Sequence, residues 1–203
     1  MKRLVDIVLA LFAIVILSPI LIIAALAVRI SLGSPVLFTQ LRVGKNDKFF
    51  SLFKFRSMNN NKDDLGDLLP NIQRITPLGR FLRKSSIDEL PSLFNILKGD
   101  MSLVGPRPLL PRYLEHYSEF HRQRHQVKPG LTGLAQVNGR NNITWQKRLD
   151  LDIDYVQNNS FILDIKILFL TVLKVLKRED VEGGTDLSII SLDKDPTYNK
   201  ELN

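Results

Sequence analysis

Cysteine is absent from all 203 residues, which removes disulfide bonds, cysteine-ligated zinc and thiol catalysis from consideration. Neither G-x-G-x-x-G nor G-x-x-x-x-G-K-[ST] occurs, so the sequence carries no Rossmann turn and no P-loop. Aromatic residues are few, 8% with a single Trp, they are scattered, and no nucleic-acid-binding motif accompanies them. No internal repeat is evident. Acidic residues fall short of basic ones, 21 against 28, leaving a net charge of +7. The balance implies an anionic partner: nucleic acid, anionic lipid or a phosphorylated small molecule. With 44% hydrophobic and 24% charged residues the chain can bury a core, and its length suits one domain of ordinary size plus one appended element.

What is present first is an apolar run, 7–28, broken only by Ser18 and Pro19. As a straight helix it would measure roughly 33 Å, enough to cross a bilayer. It is too long for a secretory signal, and no small-residue cleavage site in a polar setting follows it. Pro19 removes a backbone hydrogen bond near the middle, where the Ser18 hydroxyl can cap the freed groups, so a kink or break is expected there. Both flanks are basic, Lys2 and Arg3 before and Arg29, Arg42 and Lys45 after. The positive-inside tendency then asks for both ends in the cytoplasm. A re-entrant hairpin satisfies that, and a kinked span is the alternative on these residues. Asp6 at the mouth of the run needs a partner, and Arg3 at i−3 is the nearest.

The fold class expected for the whole is α+β with helix dominant. Segments 36–40 and 49–56 read as the two strands of a small β-hairpin around Gly44-Lys45-Asn46-Asp47. The Asp/Asn-rich stretch 59–67 reads as a mobile loop. Helices are expected at 78–84, 89–98, 112–124, 144–157 and 161–177. On the last of these, Asp164, Lys166, Thr171, Lys174, Lys177 and Arg178 share one half of the helix with Leu163, Ile167 and Leu170 among them, opposite a face of Phe, Ile, Leu and Val. Such a helix either closes a core or lies in a membrane interface.

Four stretches are candidates for chemistry. His121 and His125 have i, i+4 spacing, but Arg122, Arg124 and Arg112 lie around them, which disfavours zinc and suits a basic helix face. In Ser85-Ser86-Ile87-Asp88-Glu89-Leu90-Pro91, Pro91 places a helix start near Asp88. The pair either caps that helix or works chemically, with the dipole keeping Asp88 ionised, Glu89 acting as general base, and the carboxylates binding Mg²⁺. Arg107, between Pro106 and Pro108 and after Gly105, is either a surface turn or a presented guanidinium. The turn-rich stretches 128–133 and 136–140 carry further basic and amide groups.

Taken together, Lys54-Phe55-Arg56-Ser57-Met58, Asp88-Glu89-Leu90-Pro91, Lys98-Gly99-Asp100-Met101-Ser102, Gly105-Pro106-Arg107-Pro108, Pro129-Gly130-Leu131-Thr132-Gly133 and Val137-Asn138-Gly139-Arg140 resemble the bacterial sugar transferases, also called monotopic phosphoglycosyl transferases. The six motifs are collinear and span nearly the whole chain, whose size resembles that of the small members that load diacetylbacillosamine phosphate. The resemblance implies transfer of a sugar 1-phosphate from a UDP-sugar to polyprenyl phosphate with release of UMP, by ping-pong kinetics through an aspartyl phosphosugar. It implies Asp88 as nucleophile and Mg²⁺-associated group and Glu89 as its acid/base neighbour. Lys54, Arg107, Arg140 and Asp152 would lie around phosphates, nucleotide and metal. Ser18-Pro19 would break the membrane helix and make it re-entrant, placing the enzyme monotopically on the cytoplasmic face of a bacterial inner membrane among interfacial amphipathic helices. The implied organisation is a membrane helix over 1–30, a catalytic domain over 31–182 and a tail over 183–203. No nucleic acid is expected; of the rival classes, a membrane-tethered nucleic-acid-binding protein rests on the high pI alone, and a noncatalytic membrane scaffold is the third reading. The sugar, the glycan and the oligomeric state are not legible.

Overall fold

Helix α1 (Lys2–Leu32) opens the computed structural model, which describes residues 1–139 and 143–177 together with 191, 192, 195 and 198. Thirty-one residues at 1.5 Å each make it about 46 Å long, and it is long and apolar enough to cross a membrane. The break expected at Ser18-Pro19 is not there: the helix continues through both residues. Pro19 has no N–H for the carbonyl of Val15, and the Ser18 hydroxyl donates to that same carbonyl at 2.8 Å. A side-chain donor one residue away thus replaces the missing backbone donor, and the helix persists.

Both ends of α1 pack on the rest of the chain. Near the N-terminus Ala10 is fully buried in the main core with Ile96, Met101, Val104, Tyr155 and Ile167. Near the C-terminus Ala24 and Val28 are buried against Phe55 and Leu82. Polar anchors fix the first turn. Lys2 donates to the Val104 carbonyl and Tyr155 Oη and pairs with Asp164. Arg3 donates to the carbonyls of Ile96 and Leu97 at 2.6 and 2.8 Å. The Arg3–Asp6 pair expected from spacing is therefore replaced. Arg3 caps the C-terminal carbonyls of another helix, while buried Asp6 accepts from Ser102 Oγ and Leu103 N, each at 3.0 Å.

The hairpin forms as expected, β1 (Leu37–Val43) antiparallel to β2 (Phe49–Phe55) with Leu37 opposite Phe55 and Val43 opposite Phe49. Its tip is a 3-10 turn, Lys45–Asp47, in which Asn46 and Asp47 take left-handed φ of 55° and 58°, a region these two residue types tolerate. After α2 (Asn71–Arg74) comes α3 (Pro77–Lys84), started by Thr76, whose hydroxyl accepts from Gly79 N, and by Pro77 in the first turn. The helix expected over 89–98 begins later: Ile87–Glu89 is a 3-10 turn and α4 is Ser92–Lys98, with Pro91 at its N-cap. Strands β3 (Ser102–Val104) and β4 (Gly130–Thr132) form a short parallel pair.

The single helix expected over 112–124 is corrected. It is a 3-10 turn (Pro111–His116), the short α5 (Glu119–Arg122) and a second 3-10 turn (Gln123–Gln126). Tyr117 is extended, and Ser118 restarts the helix by accepting from His121 N at 3.1 Å, the kind of local side-chain bond that competes with helix propagation. His121 and His125 are likewise buried and not on a basic surface face.

Short α6 (Leu134–Val137), α7 (Trp145–Asn158) and α8 (Phe161–Lys177) complete the domain. Helix α8 is folded inside out. Its mixed face points inward, with Ile167 fully buried, Leu163 and Leu170 packed beside it, Asp164 held by Lys2 and Tyr155, and Thr171 bonded to Thr132. Its uniformly apolar face, Phe161, Ile162, Ile165, Phe169 and Val172, is exposed. Helix α1 likewise exposes Leu11, Phe12, Val15, Ile16, Ile22 and Ile23, and exposed apolar residues in such number mark a surface that another apolar phase covers. Most of the tail 183–203 lies outside the described residues, but Leu192 is buried with Tyr113 and Trp145, and Tyr198 Oη accepts from Ser118 N.

Candidate active site

Two polar residues of α4 align the site. Asn95 accepts from Phe53 N at 3.0 Å and donates to the Ser51 carbonyl at 2.8 Å, and Ser92 Oγ donates to the Phe53 carbonyl at 2.8 Å. Both are buried. A side-chain amide here takes the place of a neighbouring strand, stitching α4 to the open edge of β2 and carrying Lys54 up to the turn that precedes α4. Sequence reasoning passed over both residues, although polar groups at i and i+3 on an otherwise apolar short helix are the signal.

That turn is entered through Ser86, a non-glycine residue at φ 57°, a strained conformation of the kind that clusters at functional sites. It presents Asp88 and Glu89 side by side in different surroundings. Glu89 accepts from Lys54 at 2.8 Å and from Arg107 at 2.6 Å, with the second Arg107 nitrogen at 3.4 Å. Asp88, 8% exposed, has no hydrogen bond or ion pair with any described residue. Burial raises its pKa to about 6 and the Glu89 charge adds to this, against the pull of Lys54, Arg83 and Arg107. For Glu89 burial also acts upward, but Arg107 and Lys54 together outweigh it and hold the carboxyl well below the ordinary range. The expected dipole control of Asp88 is thus corrected: α4 starts at Ser92, and burial sets the direction instead.

Lys54, Glu89 and Arg107 line one solvent-open cleft with Arg42, and Leu52, Met101 and Leu131 also line it. Three cations around one carboxylate suit an anion carrying more than one charge. Among the described residues no group of three or more metal-ligating side chains occurs. Mg²⁺, however, commonly takes only one or two carboxylates and fills its shell with phosphate oxygens and water. The Asp88 carboxylate, unpaired among the described residues, fits that mode.

One expected site residue, Arg140, lies outside the described residues. Asp152 does not reach the cleft: it is 1% exposed, and Arg124 donates to it through two nitrogens at 2.7 and 3.1 Å. Its spacing after the last motif suggested phosphate or metal contact, but it projects from the inward face of α7, where only a buried cation can balance it. Arg83, which donates to Ser57 Oγ at 2.9 Å, and Arg42 belong to the site and were not singled out from sequence.

Comparison with known proteins agrees with the six motifs. The family model described as bacterial sugar transferase matches residues 1–178. The chain is 53% identical over 182 residues to a protein of Bacillus subtilis named uncharacterized sugar transferase EpsL, covering 90% of each. It is 43% identical over 183 residues to the UDP-glucose:undecaprenyl-phosphate glucose-1-phosphate transferase of Klebsiella pneumoniae, covering 85% of this chain and 39% of that one. It is 42% identical over 196 residues to the undecaprenyl-phosphate galactose phosphotransferase of Salmonella typhimurium, covering 88% and 41%. The chain therefore spans about two fifths of these two longer relatives. With the match running from Met1 through the whole of α8, across the Asp88-Glu89 turn, the chain belongs to the bacterial sugar transferase family.

Proposed function

We propose that this protein transfers a sugar 1-phosphate from a UDP-sugar to polyprenyl phosphate, in two half-reactions through Asp88. The observation that carries the reading is the division of labour between adjacent carboxylates. Glu89 engages the cations, and Asp88, with no partner among the described residues and a raised pKa, is both available and more nucleophilic than an ordinary aspartate. In the first half-reaction an Asp88 oxygen attacks the phosphorus that bears the sugar, the P–O bond to UMP breaks, and an acyl phosphate forms. In the second, an oxygen of polyprenyl phosphate attacks the same phosphorus, and Asp88 leaves as carboxylate. Lys54 and Arg107 would turn from Glu89 to the pyrophosphate oxygens as substrate enters, giving electrostatic stabilisation where charge develops. Relieved of its cations, Glu89 gains basicity and can accept the proton of an incoming phosphate monoester. Mg²⁺ held by Asp88 and substrate would offset charge on departing UMP.

The test uses the full chain in detergent or nanodiscs. UDP-sugars offered singly, without lipid, should release about one UMP per active enzyme and leave a phosphosugar adduct on the peptide that contains Asp88. The panel also identifies the sugar. Release that requires polyprenyl phosphate, with intersecting kinetic lines and no adduct, would replace the two-step reading by direct transfer.

The placement we propose is monotopic, on the cytoplasmic face of the membrane, with both ends of α1 on one side. Its support is that Ala10 and Val28, toward opposite ends of α1, pack into the same domain, which a bilayer between them would forbid, and that the basic flanks favour the cytoplasm. The chain has no native cysteine, so single thiols report cleanly. One placed ahead of Met1 and one at Lys48 should react with an impermeant reagent from the same side of oriented vesicles. Reaction from opposite sides would establish a span.

A further inference from the structure

The segment that carries Arg107 cannot join a strand ladder in the ordinary way, because Pro106 and Pro108 supply no N–H. Among the described residues its backbone is held through its carbonyls. The carbonyl of Pro106 accepts from Gly130 N at 3.0 Å and that of Leu109 from Val43 N at 3.1 Å. Between them, the carbonyl of Arg107 accepts from Arg124 at 2.7 Å, and that of Pro108 accepts from Arg42 at 3.2 Å. Four consecutive carbonyls are thus held by four donors, two of them guanidinium groups. The peptide between Arg107 and Pro108 has no N–H at all, so its carbonyl is the single polar handle by which the fold can set its orientation, and with it the direction of the Arg107 side chain.

Resting on the reading of Arg107 as a phosphate ligand, we propose that Arg124 is a positioning residue for the reaction: its buried guanidinium, oriented by Asp152, fixes the Arg107–Pro108 peptide so that the Arg107 fork meets Glu89 and the substrate phosphates.

The surroundings of Arg124 are built for orientation. It is 2% exposed and donates to Asp152 through Nε and one terminal nitrogen, a side-on engagement that fixes the plane of the guanidinium. The same terminal nitrogen reaches the Arg107 carbonyl. The other terminal nitrogen donates to His125 Nε2 at 3.3 Å, so that ring nitrogen is an acceptor. The opposite nitrogen of His125 faces Asp47 on the hairpin tip at 2.6 Å, and Asp47 also accepts from Arg122 at 2.9 and 3.0 Å. Tyr117 lies along the guanidinium, its ring centroid 5.7 Å away. Helix α7 therefore meets this side chain directly, the hairpin tip meets it through His125, and a further donor is directed at the Arg107 carbonyl. Burial of an ion pair is a weak source of stability by itself, and a cation needed only to neutralise Asp152 would not require a planar, five-donor group. Arg42 performs the companion task on the next carbonyl from the wall of the cleft.

A double-mutant cycle on the full chain tests this, with kcat and KM for UMP release measured for wild type, Arg124→Lys, Arg107→Ala and the pair. Lysine keeps a charge beside Asp152 but cannot serve two acceptors at fixed angles. With Arg107 present, Arg124→Lys should lower kcat/KM on the order of 10²-fold, the scale of a misplaced catalytic group. With Arg107 already Ala, it should lower the remaining rate by less than about two-fold, because residues acting through one another are not additive. Equal losses in both backgrounds overturn the positioning role and leave the phosphate role of Arg107 intact. Full activity of Arg107→Ala alone overturns the phosphate role, and the positioning role falls with it. Should Arg124→Lys unfold, Arg124→Met combined with Asp152→Leu removes both buried charges at similar volume, a change folds commonly tolerate. That variant should fold and still lose activity; wild-type kcat/KM from it would also overturn the inference.

Discussion

Asp88→Asn is expected to give a protein that is inert and, above pH 6, harder to unfold than the wild type. Inertness follows from the amide, a poor nucleophile and a poorer magnesium ligand: the UMP burst, the adduct and steady turnover should all vanish. The gain in stability follows from the same burial that prepares the carboxylate. A carboxyl whose pKa rises from 3.8 to about 6 on folding binds its proton more tightly in the native state, so its favourable contribution is complete below pH 4 and is lost as pH rises through 6. At neutral pH the ionised Asp88 then costs the fold on the order of 3 kcal/mol. Asparagine carries no such cost at any pH. Thermal unfolding in one detergent should show the variant and wild type converging toward pH 4 and diverging through pH 6, to a gap of roughly 6–12 °C for a chain of this size. A variant that is less stable at pH 8, or one that still turns over, would refute the account of Asp88 as a strained nucleophile.

Gly130→Ala should damage folding and catalysis together. A Cβ at Gly130 would lie 2.1 Å from Gly105 N, 2.3 Å from the Thr132 carbonyl and 2.6 Å from the Gly105 carbonyl. All three are backbone atoms, so no rotamer change can relieve the collision; β4 must move away from the turn that leaves β3. The expected destabilisation is on the order of 3 kcal/mol, the upper range of overpacking effects. Activity per folded molecule should fall as well, since Gly130 N holds the Pro106 carbonyl next to Arg107. Gly66 provides the contrast. Nothing lies within 4 Å of a Cβ there and only its φ of 86° resists substitution, so Gly66→Ala should cost about 1 kcal/mol and leave turnover unchanged. Comparable unfolding temperatures for the two variants would show that the backbone contact at Gly130 is slack.

What the sequence disclosed, and what it withheld, divides along a physical line. Local signals were reliable. The polar tip of the hairpin and the start of α7 after Thr144 are set within a few residues of chain, and the structure places them where the local pattern does. The Asp88-Glu89 pair, Lys54 and Arg107 were identified by motif, and the fold brings them together. The failures concern partners distant in the chain. Arg3 and Asp6 satisfy each other's charge at helical spacing, yet acceptors and donors near residue 100 bind them better. Asp152 was assigned by its distance from Arg140, but its partner is Arg124, 28 residues earlier. Helix α8 shows a different limit: its periodicity was plain, but periodicity does not say which face is wet, and Leu163, Ile167 and Leu170, intruders on the polar half, proved to be its core contacts. Asn95 could not be valued without knowing that a strand edge lay beside it.

The anchoring of α1 at both ends bears on the order in which the protein is made. Lys2 and Asp164 are separated by 162 residues, and the seats for Arg3, Asp6 and Ala10 lie on α4 and β3, so the first segment to leave the ribosome must wait for most of the chain before it can complete its contacts. Pairings across such separations form slowly, and an apolar helix left in water meanwhile invites aggregation. In the proposed membrane placement, hydrocarbon supplies the waiting place. The rest of the chain would then assemble against a helix already held in the lipid, and the turn that carries Asp88 closes over Ala24 and Val28 through Leu82 and Ile87. A chain begun after Leu32 would lack part of its own interior, so this catalytic domain has no detachable, water-soluble form.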